Sequence, residues 1–189
     1  FAGLRTIGDF DAGWQLATGR WVLAHHAIPS TDVLSYTSPG APWHYPPFAG
    51  VLLYALFSAW GYAGLSWFCA ICCAALVGFL VLRTPSSGLA APVLAMLAVP
   101  AIAYRMTPRA DLFTTLLFAV FLVELWRFHF GLPVRLWTLP LVMLLWVNLH
   151  PGFIAGVGLL VAYFAVEVLA VLFPERRRAA LIRLRRVWP

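Results

Sequence analysis

The chain has 189 residues, 62% of them hydrophobic and only 11% charged, with a mean hydropathy of +0.86. Soluble domains are about half apolar and about a quarter charged, so this composition excludes a water-soluble globular enzyme and defines an integral membrane protein. The net charge of +6 comes from arginines without a single lysine; no basic–aromatic platform lies outside the apolar runs, so the charge bears on topology and lipid headgroups, not on nucleic acid.

In chain order, residues 1–47 form the polar part, holding all the aspartates but one and three of the five histidines. Asp9 or Asp11 can cap a helix running to about His26, because a short acid side chain satisfies the orphan N–H groups of a first turn. Trp14, Ala17, Trp21 and Ala24 recur on one side of it, and tryptophans suit the headgroup layer, so we expect a short interfacial amphipathic helix. The following IPSTD, SYTSPG and APWHYPP are loop, punctuated by proline and glycine.

Residues 48–173 read as a transmembrane bundle. The run 48–60 is apolar but too short to cross about 30 Å of hydrocarbon, and reads as a half-inserted helix ended by Gly61 and Gly64. Spans are expected at about 65–82, 89–104, 112–126, 136–149 and 153–173. Cys69, Cys72 and Cys73 fall inside the first, where thiols act as small hydrophobes. Glu124 has Arg127 beside it, whereas Glu167 has no local arginine and calls for a partner on another helix. Residues 174–189 form a basic cytoplasmic tail, RRRAALIRLRR, suited to an anionic inner leaflet. The fold expected is therefore all-α: a polytopic transmembrane helical bundle with an outer-face loop bearing the interfacial helix. A start at Phe1 and a stop at Pro189 lead us to expect a piece of a longer chain.

Arginine placement orients the bundle. With Arg83 cytoplasmic, alternation puts nine arginines inside and leaves Arg5, Arg20, Arg105 and Arg109 outside, in keeping with the positive-inside rule. Asp9, Asp11, Asp32, His44, Arg105, Arg109, Asp111, Asn148 and His150 then share the outer face. For a bacterial inner membrane this is the periplasmic side.

The segment GDFDAGWQLATGRWVLAHHAIPSTDVLSYTSPGAPW resembles the first outer loop of a group of bacterial membrane proteins that reads roughly DPDxWWHLxTGxWIxxxxxxPxTDxFSYT. In organisation that group is similar to the GT-C glycosyltransferases, which include protein O-mannosyltransferases and aminoarabinose transferases. His44-Tyr45-Pro46-Pro47-Phe48 resembles their HPPL-type motif, Arg109-Ala110-Asp111 their R-x-D entry to a later span, and Trp146-Val147-Asn148-Leu149-His150 the WxNxH segment of the bacterial group. Trp14-Gln15 stands where the group has WWH, so no role passes to a histidine there, and the family's usual span before the first loop would precede Phe1.

The resemblance implies transfer of a sugar from a polyprenyl-phosphate carrier to an acceptor. A first-loop carboxylate, Asp9 or Asp11, would take the acceptor proton. Arg105 and Arg109 are placed to hold the leaving phosphate, a task suited to the planar guanidinium fork. His44, Asp111, Asn148 and His150 complete the candidate substrate site. The acids permit a divalent metal without requiring one, so the cofactor is left open.

Each residue has a plainer role beside the chemical one. Asp9 and Asp11 are two apart, so on a helix they point apart and cannot act as a pair, and one of them can simply be a cap. The arginines can anchor span ends to headgroups, Asp111 can cap its helix, and Asn148 and His150 can cap carbonyls before Pro151-Gly152. Asp32, after Ser30-Thr31, can bond its own turn. The rival function is a transporter or a non-catalytic membrane subunit; the apolar middles of the spans weigh against transport.

Overall fold

The computed structural model describes residues 10–83, 89–103 and 105–187. Among these residues the chain forms seven helices: α1 (Phe10–His25), α2 (Phe48–Arg83), α3 (Ala90–Ala103), α4 (Asp111–His129), α5 (Thr138–Leu149), α6 (Phe153–Ala170) and α7 (Pro174–Val187). The described residues contain no strand; one isolated bridge, Thr31 to Pro42, closes the loop between α1 and α2. Three helices, α2, α4 and α6, are long and apolar enough to cross a membrane.

As expected from the glycines at 61 and 64, the pieces 48–60 and 65–82 are separate arms of α2 that meet at a kink, and Ala49 of the first arm and Phe68 of the second pack in one cluster with Ala110 and Phe113. At about 1.5 Å per residue the first arm is about 20 Å long and the second about 33 Å, so only the second matches a bilayer core of about 30 Å. Gly61 divides the arms with φ 59° and ψ −153°, a conformation that only a residue without a Cβ adopts cheaply. The stretches expected to span at 89–104 and 136–149 form α3, with 14 residues, and α5, with 12. Both fall short of a full crossing by themselves.

The chain order sorts the helix ends. The starts of α2, α4 and α6 lie with the end of α5 at one pole, here the Asp111 end; the ends of α2, α4 and α6 lie with the start of α5 at the other, the Arg83 end. Cys69, Cys72, Cys73 and Leu76 of α2 pack with Met106 and Leu112, so the thiols are buried core members and none is in a disulfide. Between α4 and α5 the core is Phe121 against the fully buried Trp146, and Gly156 of α6 faces that indole, leaving room for its ring. Most of α6 instead presents exposed aliphatic side chains, among them Ile154, Val161 and Val168, as a lipid-facing helix does.

The face that α1 buries differs from the expected tryptophan stripe. Ala12, Gln15, Thr18 and Gly19 are buried against α2, whereas Trp14, Ala17 and Trp21 are half-buried and Ala24 is exposed. Small residues decide this. A Cβ on Gly19 would collide with the Gly50 carbonyl, and one on Gly50 would sit 2.6 Å from the Gln15 carbonyl oxygen. Only a glycine pair lets the two backbones approach so closely, and that contact sets the rotation of α1.

Candidate functional site

Rotation of α1 turns its first two turns toward the start of α4. Gln15 is buried, and its Oε1 accepts the Ala110 backbone N–H at 2.7 Å. That N–H lies just before α4 and has no partner inside the helix, so a side chain distant in sequence satisfies it. One turn earlier on the same helix, Asp11 reaches Arg109, Oδ2 to Nη1 at 3.6 Å. Arg109 also approaches Asp111 at 3.5 Å, and Arg105 bonds Asp111 at 2.5 Å. The four groups form a chain of alternating charge across the Asp111 end. Asp111 does not cap α4 through its side chain; it stands in the first turn, where the helix dipole favours an acid, and it binds both arginines.

A wall of aromatic side chains borders these charges. Trp14 Nε1 donates to Asp11 Oδ1 at 3.2 Å, and its ring meets Tyr45 and Trp43 edge-on, with centroids 4.8 and 5.9 Å away. Tyr45 in turn lies 6.0 Å from the His150 ring. Burial, helped by the nearby Asp11 and Asp111 and opposed by Arg109, pushes the Tyr45 phenol up to about 12. Tyr45 therefore keeps its proton at neutral pH and has an O–H to donate.

His150 leaves α5 in an extended conformation, φ −158° and ψ 139°, which turns its ring away from the helix and onto α4. Its Nδ1 accepts the Gly152 backbone N–H at 3.0 Å and lies 2.8 Å from the Thr114 hydroxyl. The Thr114 oxygen also accepts the Trp146 indole N–H at 2.9 Å. An Nδ1 that accepts from an amide carries no proton, so the neutral ring keeps its proton on Nε2. Burial lowers the His150 pKa, with Arg109 and Arg105 adding to that and Asp111 opposing them. The ring is thus a neutral donor held in one tautomer.

Asp11, Arg105, Arg109, Asp111 and His150 are therefore brought to one end of the bundle. His44 is exposed and makes no hydrogen bond among the described residues; its neighbours Trp43 and Tyr45 turn inward in its place. Asn148 is exposed too, and bonds the Leu144 carbonyl of its own helix at 2.8 Å. Asp32 serves its turn, accepting the Leu34 and Ser35 N–H groups at 2.9 and 2.8 Å. Asp9 lies outside the described residues. Among the described residues no three His, Cys, Asp or Glu side chains are grouped to hold a metal.

Gln15, Thr114, Trp14 and Trp146 also belong to this constellation. Gln15 and Thr114 carry no local signal; a glutamine amid small residues and a threonine in an apolar run look like ordinary helix positions. Comparison with family models, with curated proteins and with solved structures finds no match to this chain.

Proposed function

We propose that this chain is a GT-C-like membrane glycosyltransferase that moves a sugar from a polyprenyl-phosphate carrier to an acceptor. In this reading the Asp111 end is the outer face of a bacterial inner membrane, α1 lies in the interface, the first arm of α2 is half-inserted, and α7 is the cytoplasmic tail. The observation that carries the proposal is the Asp11–Arg109 contact at 3.6 Å, a carboxylate of the first loop beside a guanidinium of the R-x-D stretch.

Arg105 and Arg109 supply the anion-binding half of the reaction. The donor phosphodiester offers them two anionic oxygens, and bidentate guanidinium–phosphate pairs are strong. When Arg109 turns to the donor phosphate it gives up Asp11, whose side chain is 54% exposed and accessible to an acceptor. The anomeric C–O bond to phosphate then breaks, the acceptor oxygen or nitrogen bonds to that carbon, and its proton passes to Asp11. The carrier leaves as polyprenyl phosphate, its charge held by the arginines. Tyr45 and His150, both neutral, add hydrogen-bond donors without adding charge.

The test is transfer from undecaprenyl-phosphate-linked hexose and pentose donors by the full-length protein in native membranes. Asp11→Asn should cut transfer by about a hundredfold or more, with expression and helix content unchanged, since general-base steps are worth about 10²–10⁴. Wild-type turnover by Asp11→Asn sinks the assignment.

A further inference from the structure

The Arg83 end holds a second cluster of charge that the proposed transfer reaction does not use. A cavity of about 580 Å³ opens there between the end of α2, the end of α4 and the segment entering α5; Arg83, Glu124, Arg127 and Arg135 line it with Val120 and Val134. Glu124 is buried and neutralised by Arg83. Arg127 spends its two terminal nitrogens on backbone carbonyls, Nη1 on Arg83 at 2.8 Å and Nη2 on Pro133 at 3.1 Å. The Nε atoms of both Arg83 and Arg127 are buried with no hydrogen-bond partner among the described residues. Arg135 is exposed, and its side chain makes no hydrogen bond or ion pair among the described residues.

The cavity thus has three guanidinium groups against one carboxylate, and more N–H donors than acceptors. The accessible guanidinium N–H groups of the lining, above all those of exposed Arg135, suit an anion with several oxygens. The surroundings argue for an anion carried by a lipid. Trp126, Phe130 and Trp137 are exposed at this level, an aromatic girdle of the kind that marks the headgroup layer, and valines line the cavity beside the arginines. We propose that this cavity binds the phosphate of an anionic glycerophospholipid, with Arg135 as its main contact and the Arg83–Glu124 pair and Arg127 as the fixed wall. This site stands independently of the sugar-transfer reading.

The test uses the full-length protein in dodecyl maltoside, titrated with dioleoylphosphatidylglycerol, dioleoylphosphatidylcholine or inorganic phosphate, and read by native mass spectrometry. The expected result is one phosphatidylglycerol retained at least about tenfold more tightly than phosphatidylcholine, and a loss of about tenfold in that affinity in Arg135→Gln. The Arg135 side chain bonds nothing among the described residues, so this variant should keep the wild-type unfolding midpoint; Arg135→Lys should keep part of the affinity. Equal retention of the two lipids overturns the proposal, as does an unchanged affinity in Arg135→Gln. Inorganic phosphate that displaces phosphatidylglycerol at equal concentration would mark a soluble-phosphate site, and overturns it as well.

Discussion

The two ends of this bundle differ in how open their most exposed paired acid is. At the Arg83 end the two paired carboxylates are more buried than their cationic partners: Glu124 against Arg83, and Glu167, whose side chain is 1% exposed and held by Arg183 Nε at 2.8 Å and His129 Nδ1 at 2.9 Å. The partners of Glu167 come from α7 and α4, so one buried carboxylate ties three helices together. At the Asp111 end Asp111 is shared between Arg105, close at 2.5 Å, and Arg109, whereas Asp11 is open to solvent and the Arg109 contacts are loosened to 3.5 and 3.6 Å. A buried pair costs about 3–5 kcal/mol to break because the survivor is stranded, whereas an exposed pair is worth about 0–1 kcal/mol. The first arrangement builds structure. The second can exchange its partners for a ligand at little cost, which is the requirement for an anion site.

The largest effect should come from Arg183→Ala, which leaves the Glu167 carboxylate buried with a single histidine. We expect a loss of about 3 kcal/mol in unfolding of the full-length protein in mixed micelles, with Arg185→Ala, an exposed neighbour, nearly neutral. Similar unfolding curves for the two variants would erase the contrast between the ends. Gln15→Leu should follow, at about 1–3 kcal/mol, because the Ala110 N–H loses its acceptor in a buried place. If the contact matters for placement, the same variant raises KM for the donor through a displaced Arg109; stability and KM both unchanged would mean the bond is incidental.

The smallest effect concerns pH. His150 has its pKa lowered by folding from 6.5, so the unfolded chain takes up the proton more readily. Its contribution to stability is complete above pH 6.5 and is lost as pH falls below that value toward the folded pKa. His150→Gln should flatten the fall in stability between neutral pH and that acidic window. A slope that survives the substitution would assign the pH dependence to other groups.

The sequence already determined a good deal here. Apolar runs broken by charged turns determine a helical membrane chain, and a strict alternation of runs sends Arg105, Arg109, Asp111 and His150 to the end opposite Arg83. The demand of Glu167 for a partner from another helix was equally legible, since a carboxylate in an apolar run cannot stay alone. Which side chains meet within an end was decided by tertiary structure. Asn148 and His150 are two residues apart beside the same proline, yet one bonds its own helix and the other turns to Thr114, because the extended backbone at His150 ends α5 between them. The rotation of α1 has the same origin: the Gly19–Gly50 approach buries Gln15 and aims Asp11 at Arg109. Local periodicity favoured the tryptophan side, but a helix turns to the face that packs closest, and that depends on the partner helix as much as on its own residues.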